Sequence, residues 1–477
     1  MQLSTLLKNI SVRSVSCFQE IEISHVTHDS RQAKESSVFV AICGQRFDGR
    51  QFIDSCDAQV IVADAPPSSP TTKTLILVDD ARRAMAEIAC TLFQHPSRKM
   101  KLVGLTGTNG KTTTSWMLYH ILRSAGQNVG VIGTLGHHVN ETSVRTQDGH
   151  TTPESSHLQS ILHEMVERNC HSCLMEVSSI GLDLARVDGI DFDVAAFTNF
   201  TQDHLDFHPS MEQYFQAKAR LFNELLPERG TAILNGDHPL ISRLSTAAST
   251  RWTFGQQSHV DWRLSDVHQS LTTTSCLLHH KNETYALCLP LVGVHNLENA
   301  VVAIAAATAL EISLETALRS LKQLPQVAGR MERIETNTDW FAFVDYAHTP
   351  DALQRVLQTL RTITSGNLVV VFGCGGERDA KKRPLMGKIA SDLADRIFVT
   401  SDNPRKEDPK RIIDDISVGV HREARYIVDR KTAIHAAIRS LCPKDVLLVA
   451  GKGHETYQIL KDETIHFDDR EVILEGV

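Results

Sequence analysis

No apolar run of about eighteen residues occurs in this 477-residue chain, so no segment has the makings of a membrane-spanning helix. A disulfide framework is missing too: the ten cysteines are scattered along the chain, which suits reduced thiols. The one CxxC, Cys170 and Cys173, is followed by no second pair and no histidine pair at zinc spacing, which argues against a zinc or redox motif. Nor is there an excess of positive charge. Lys and Arg number 49 against 57 Asp and Glu, a formal net charge of −8, which argues against a general nucleic-acid or membrane-surface binder. The start, MQLSTLLKNISVRS, has no long apolar core behind a basic end, so no signal peptide is expected. These absences point to a cytoplasmic location. No internal repeat or low-complexity tract is visible.

What is there looks globular, with 42% hydrophobic and 22% charged residues, and the length suggests about three domains. The boundaries fall at residues 1–98, 99–328 and 329–477. A helix over Arg82–Gln94 precedes a linker, HPSRKM, in which Pro96 ends the helix. Strands are expected at Lys101–Leu105, Asn128–Thr134, Cys173–Val177, Val194–Asn199 and Thr231–Asn235, alternating with helices, the pattern of a parallel α/β sheet. Residues Trp252–Leu291 read as β-rich, and an Ala/Val-rich helix follows at Asn296–Leu310. A second alternating series places strands at Phe341–Asp345, Asn367–Gly373, Arg396–Ser401 and Asp445–Gly451. Open sheets of this kind bind ligands at the carboxyl ends of their strands.

The most informative string is GLTGTNGKTTT, Gly104–Thr114, set between an apolar strand and a helix-patterned segment, Ser115–Gly126. Strand, glycine turn, Gly-Lys-Thr and helix form a phosphate cradle in which backbone N–H groups face the anion. Lys111 adds a charge and the Thr112 hydroxyl can hold Mg²⁺. Leu105 stands where the general pattern has glycine, and Gly107 opens a shorter loop. A nucleoside triphosphate is the expected ligand. In LMEVSS, Glu176 lies at a strand end, suited either to a nucleotide-bound metal or to a helix cap. TNFTQDHLDFHPSMEQYFQAKARLF (Thr198–Phe222) packs Asp203, His204, Asp206 and His208 past another strand end, then puts Tyr214 and Lys218 on one helix face at i, i+4. By spacing alone, metal ligands and solvated loop residues remain equal readings of that cluster.

These strings, in this order from about residue 28 to residue 458, resemble the Mur ligases of peptidoglycan synthesis, ATP-dependent amide-bond ligases related to folylpolyglutamate synthases. The resemblance implies three parts: an N-terminal UDP-binding α/β domain, a central P-loop ATPase-like parallel-sheet domain and a C-terminal Rossmann-like α/β domain. It implies that Gly107, Thr108, Asn109, Gly110, Lys111, Thr112 and Thr113 cradle ATP. His295, Asn296 and Asn299 of VGVHNLENA would approach adenine, with N-capping a second reading of Asn296. Arg330 of AGRMER would face phosphate and Asp345 of VDYAHTP the ribose. Thr112 and Glu176 would hold one Mg²⁺, and His204 with a carbamylated Lys218 a second. Lys111, His204 and Lys218 are the implied catalytic residues.

Ser30 of HDSR and the Gly44, Gln45, Arg46, Phe47 turn match the family's uridine-diphosphate contacts. Thr151, Thr152, Ser178 and Arg186 match positions that hold the muramoyl peptide. Ile180 departs from the family, which often has histidine there. SDNPRKEDP (Ser401–Pro409) is the motif of family members that add meso-diaminopimelate. Asp402 and Asn403 are suited to an ammonium, Pro404 to the turn, and Arg405 to a carboxylate. Arg378, Gly451 and Glu455 match the same ligand's contacts. The implied partners are UDP-N-acetylmuramoyl-L-alanyl-D-glutamate and meso-diaminopimelate, with no nucleic acid or membrane, and the implied state is a monomer whose domains close on the substrates. A lysine-adding relative would lack Arg405. A folylpolyglutamate synthase would lack the first domain, and a nucleotide switch would carry a guanine-reading NKxD, which is not found.

Overall fold

The computed structural model describes residues 1–44, 47–144, 150–205 and 207–477, so the expected sites Gln45, Arg46 and Asp206 lie outside the described residues. The chain forms two compact units, residues 1–263 with 299–317 and residues 264–298 with 318–477. No helix among the described residues is long and apolar enough to cross a membrane.

The first unit contains two sheets. Residues 1–98 carry a five-stranded sheet ordered Val12–Ser16, Thr74–Val78, Val60–Ala63, Ser37–Ala41, His25–Thr27, parallel except for the first strand. Ser37–Ala41 and Val60–Ala63 are buried throughout because both faces are covered. Val38, Val40, Val60 and Val62 pack with Met85 and Ile88 of the helix Ala81–Leu92, while Phe39 and Ile61 meet Ile53 and Cys56 on the other face. Asp80 starts that helix by accepting from the N–H groups of Arg82 and Arg83. Pro96 does not end it. Gln94 and His95 already turn left-handed, and Pro96 opens a separate short 3₁₀ turn, Pro96–Lys99.

The second sheet of this unit runs Thr250–Gly255, Thr231–Asn235, Val194–Phe197, Lys101–Thr106, Ser172–Glu176, Val129–Gly133, all parallel. An antiparallel edge, Gly136–Val139 and Thr142–Val144, completes that side. The register sets Leu105 beside Glu176 and Thr106 beside Phe197. Three neighbouring strands therefore end together, and their following loops must converge. The helix Val294–Ala309 starts two residues before the expected Asn296.

In the second unit the sheet order is Glu332–Ile334, Phe341–Asp345, Val446–Ala450, Leu368–Phe372, Arg396–Val399, Ala424–Tyr426, parallel after the antiparallel first strand. Phe341–Asp345, Val446–Ala450, Leu368–Phe372 and Arg396–Val399 release their loops at one edge. A buried ion pair braces that edge from behind. Arg430 donates from Nε and Nη2 to Asp469 at 2.7 Å each, and its remaining donors reach the carbonyls of Ser401 and Ala450. Those carbonyls immediately precede Asp402 and Gly451.

Candidate active site

In the first unit, the glycine turn lies between the strand Lys101–Thr106 and the helix Lys111–Ser124, as its sequence implies. Gly107 (φ 143°) and Gly110 (φ 86°) occupy backbone conformations that side chains disfavour. A Cβ would also strike Thr198 Oγ1 at Gly107 and Asn299 Oδ1 at Gly110. The loop is held from outside: Thr108 N donates to Asn199 O, Asn109 N to Asn199 Oδ1, and Thr198 Oγ1 to Asn109 O. Lys111 Nζ lies in the cradle, donating to the carbonyls of Gly107 (2.9 Å) and Thr108 (3.0 Å). Thr112 and Thr113 are buried in the first helical turn, and Thr114 donates to Asn299 Oδ1.

Glu176 is buried at the end of its strand, where its Oε2 accepts from the hydroxyls of Thr112 (2.9 Å) and Thr134 (3.1 Å), and its Oε1 from Thr134 N. It caps no helix; Ser178 does that for Ser179–Asp183. Carboxylate and hydroxyl oxygens this close to a phosphate cradle form a hard donor set of the kind Mg²⁺ takes together with nucleotide phosphates. The described residues contain no cluster of three His, Cys, Asp or Glu side chains able to hold a metal without such help. Gly133 makes room for Glu176, since a Cβ there would meet its carboxylate. Gly133→Ala is therefore expected to cost about 1–3 kcal/mol by overpacking and to lower activity as well, read by thermal melting and turnover.

Past the strand Val194–Phe197, His204 sits half-exposed at φ 51° with Nε2 3.7 Å from Asp203. Tyr214 and Lys218 share a face of the helix Met211–Arg220, with Nζ 4.6 Å from the ring centre. Lys218 is only 2% exposed and donates to Gly107 O at 2.8 Å, so it reaches the glycine turn. Burial first, then the charge of Lys111, pushes its ammonium well below the ordinary lysine range, against an opposing pull from Asp203. A π-helical turn, Leu221–Leu225, follows at once. His208 is buried against Ser179 Oγ (3.0 Å) and Tyr214.

Thr151 pairs with Thr134, and Thr152 donates to Glu176 O and meets Ser178, so these residues gather around the same strand end. Arg186 is buried there as well, bonded to Thr152 O and to Glu154 at 2.7 Å. Farther back, Ser30 is half-buried in a turn, Gly44 N donates to Phe47 O, and Phe47 is 69% exposed.

Within the second unit His295 is exposed against left-handed Gly293, while Asn296 is buried and donates to Val292 O. Asn296 therefore lies inside the first helical turn and is no N-cap. Asp345 is buried, and its oxygens accept from Met331 N (2.6 Å) and Ala347 N (2.8 Å). Burial pushes its carboxyl up, partly offset by Arg330. The Arg330 guanidinium lies 5.1 Å from the centre of the Tyr346 ring. Gly375 is flanked by Arg378 and Arg405, the latter donating from Nη1 to Gly376 O at 2.9 Å. Asp402 Oδ1 accepts from Asn403 N, and its Oδ2 faces Gly451 (φ 117°), where a Cβ would collide with it. Pro404 is buried, with its carbonyl against Gly376. Asn403 corrects one expectation: its Oδ1 already accepts from Ile459 N and Lys452, so it has an N–H, and no acceptor, to offer a ligand.

Sequence reasoning missed Thr134, Glu154 and Arg430, whose partners lie 17 or more residues away, and Lys452, which joins Asn403, 49 residues away, to Glu455. Lys452 alone carried a signal, standing between the matched Gly451 and Glu455. The CxxC thiols are free and buried, and burial pushes Cys170 up to about 11, as suits inert cysteines.

A phosphate cradle with a strand-end carboxylate in one α/β unit, and a carboxylate-and-arginine cluster at the strand ends of another, define a P-loop enzyme. Residues 105–307 match the Mur ligase middle domain and residues 329–453 the Mur ligase, glutamate ligase domain. The chain belongs to the Mur ligase family. It is 40% identical over 485 residues (100% of this chain, 99% of the relative) to UDP-N-acetylmuramoyl-L-alanyl-D-glutamate--2,6-diaminopimelate ligase of Clostridium botulinum. The ligase of the same name from Thermosynechococcus vestitus is 42% identical over 94% of this chain and 92% of its own. A solved structure of a ligase with that name superposes with a TM-score of 0.70 and 30% identity, covering 95% of this chain and 94% of its own.

Proposed function

We propose that this ligase joins meso-2,6-diaminopimelate to UDP-N-acetylmuramoyl-L-alanyl-D-glutamate with hydrolysis of ATP to ADP and phosphate, a step of peptidoglycan precursor synthesis. The observation that carries this reading is the acceptor cluster, in which Arg405 and Arg378 flank Gly375 while the carboxylates of Asp402 and Glu455 lie at neighbouring strand ends. Such a set suits an amino-acid head with both ammonium and carboxylate. Full-length relatives named for this reaction support it.

In the first step an oxygen of the substrate's glutamyl carboxylate attacks the γ-phosphorus of ATP, ADP leaves, and an acyl phosphate forms. The diaminopimelate amine then attacks the acyl carbon, loses a proton, and the tetrahedral adduct collapses with expulsion of phosphate. The loop N–H groups of Gly107–Lys111 and the Lys111 ammonium orient the phosphates and offset their charge. Arg330 and Asp345 serve phosphate and ribose, His295, Asn296 and Asn299 the base. Thr151, Thr152, Ser178 and Arg186 serve the peptidyl substrate, and Ser30 with the Gly44–Phe47 turn serves its uridine diphosphate. Thr112 and Glu176 would hold one Mg²⁺, and His204 with a carbamylated Lys218 a second. When bound, these ions neutralise charge shared by the phosphates and the attacking carboxylate. ATP use and ten free cysteines support a cytoplasmic setting.

Phosphate release with the UDP-muramoyl dipeptide, comparing diaminopimelate with lysine, tests the reading. Diaminopimelate is expected to be strongly preferred, and equal use of both would overturn the specificity. Arg405→Ala removes a charge-assisted partner of the distal carboxylate and is expected to raise the acceptor KM by about one to two orders of magnitude. The KM values for ATP and UDP-substrate should stay near those of the natural protein.

A further inference from the structure

A cation with no part in the reaction above stands at the centre of the acceptor cluster. Lys452 is wholly buried, with 0% exposure. Its Nζ donates to Glu455 Oε2 (3.0 Å), Asn403 Oδ1 (3.2 Å) and Tyr457 O. Asn403 closes the ring by donating from Nδ2 to the same Glu455 oxygen at 2.8 Å. Three donors of one ammonium are thus spent on three acceptors contributed by two different loops.

A buried ammonium is costly to desolvate, and an apolar side chain would fill the same space without that cost. Its bonds give the charge a purpose. They fill both lone pairs of Asn403 Oδ1, together with Ile459 N, and they anchor Oε2 of Glu455. What remains for a ligand is Glu455 Oε1, Asp402 Oδ2 beside Gly451, and one amide N–H of Asn403, a residue whose backbone carbonyl accepts from Arg405. Lys452 also offsets one of the two negative charges, so that Asp402 and Glu455 can both serve one site without strong mutual repulsion.

We propose that Lys452 is the positioning residue of the acceptor site. It fixes Glu455 and Asn403 so that carboxylate oxygens face the distal ammonium of the acceptor while the Asn403 N–H, with Arg405 of the same loop, serves its distal carboxylate. This rests on the acceptor reading given above. The role acts on acceptor recognition, because the three donors of Lys452 go to Asn403, Glu455 and Tyr457.

The test uses the full chain with Lys452→Met, Glu455→Gln and the double variant, measured by phosphate release and by thermal melting. Lys452→Met is expected to raise the acceptor KM by about ten- to a hundredfold, as for loss of a charge-assisted network. The KM values for ATP and UDP-substrate should change by no more than about twofold, a split that general loss of structure would not produce. If Lys452 acts through Glu455, the double variant is expected to be no worse than the poorer single variant. Should the methionine variant fail to fold, Lys452→Gln, which keeps donors but no charge, is expected to raise the acceptor KM by about tenfold. An unchanged acceptor KM in the folded variant, or additive effects in the double one, overturns the role of Lys452. No diaminopimelate-dependent phosphate release by the natural protein would instead overturn the acceptor reading itself.

Discussion

Replacing Lys111 with alanine is expected to lower ligation by about a thousandfold or more while leaving the fold intact. The side chain contributes nothing to a core. Its ammonium lies over the glycine turn, bonded to the carbonyls of Gly107 and Thr108, at the place where the nucleotide's phosphates would replace those carbonyls as partners. Alanine suits the first turn of the helix Lys111–Ser124, so the helix itself should not suffer. The bonds from Thr108 and Asn109 to Asn199, and from Thr198 to Asn109, hold the glycine turn from outside and do not involve Lys111. On the proposed reading, what would disappear is a positive charge opposite the transferring phosphoryl group, where preorganised charge counts most in the transition state. Turnover by phosphate release, a thermal melt and nucleotide titration separate the effects. A folded Lys111→Ala protein with turnover within about tenfold of the natural one would sink the ATP-site assignment.

The parts of this site that were legible in the sequence are those written in local patterns. The strands Thr231–Asn235 and Phe341–Asp345 coincide with their expected bounds, because a change in composition marks each end. The strand expected at Asn128–Thr134 is shorter by one residue at each end, since Thr134 turns away to bond Glu176. The i, i+4 spacing of Tyr214 and Lys218 gave their contact directly, because a helix fixes that geometry whatever surrounds it.

Partners that depend on sheet order left no such mark. Glu176 meets Thr112 because the strand Ser172–Glu176 inserts between Lys101–Thr106 and Val129–Gly133, and no spacing in the chain announces that insertion. Glu154 joins Arg82 and Arg186 for the same kind of reason. Asn403 is the clearest limit of motif reading. Its amide was legible as a polar group near the acceptor, but the direction in which it can bond is set by Lys452 and Ile459, roughly fifty residues away. A motif names the groups; the partners behind them decide whether each can donate or accept.

Lys218→Ala is expected to cost about two or more orders of magnitude in turnover, with partial recovery on adding formate or acetate. The Lys218 side chain is held away from water, facing the carbonyl of Gly107 and the Tyr214 ring. Burial and the neighbouring charge of Lys111 favour the neutral amine. A neutral amine adds CO₂: its nitrogen lone pair bonds the carbon, one proton leaves, and the product is a carbamate anion. On this proposal the modification would turn a buried amine beside Lys111 into a carboxylate-like group, which would pair with the Lys111 charge and suit a metal–nucleotide site. Alanine would remove that anion and leave a space for a small carboxylate to enter, hence the expected rescue. Two further measurements bear on the same point. Turnover of the natural protein is expected to fall in CO₂-depleted buffer and return with bicarbonate, and ¹³C-labelled CO₂ is expected to give a carbamate signal that Lys218→Ala lacks. Full turnover without CO₂, with a bare ammonium at Lys218 in an ordered, substrate-bound site, would falsify the carbamate while leaving the ligase assignment standing.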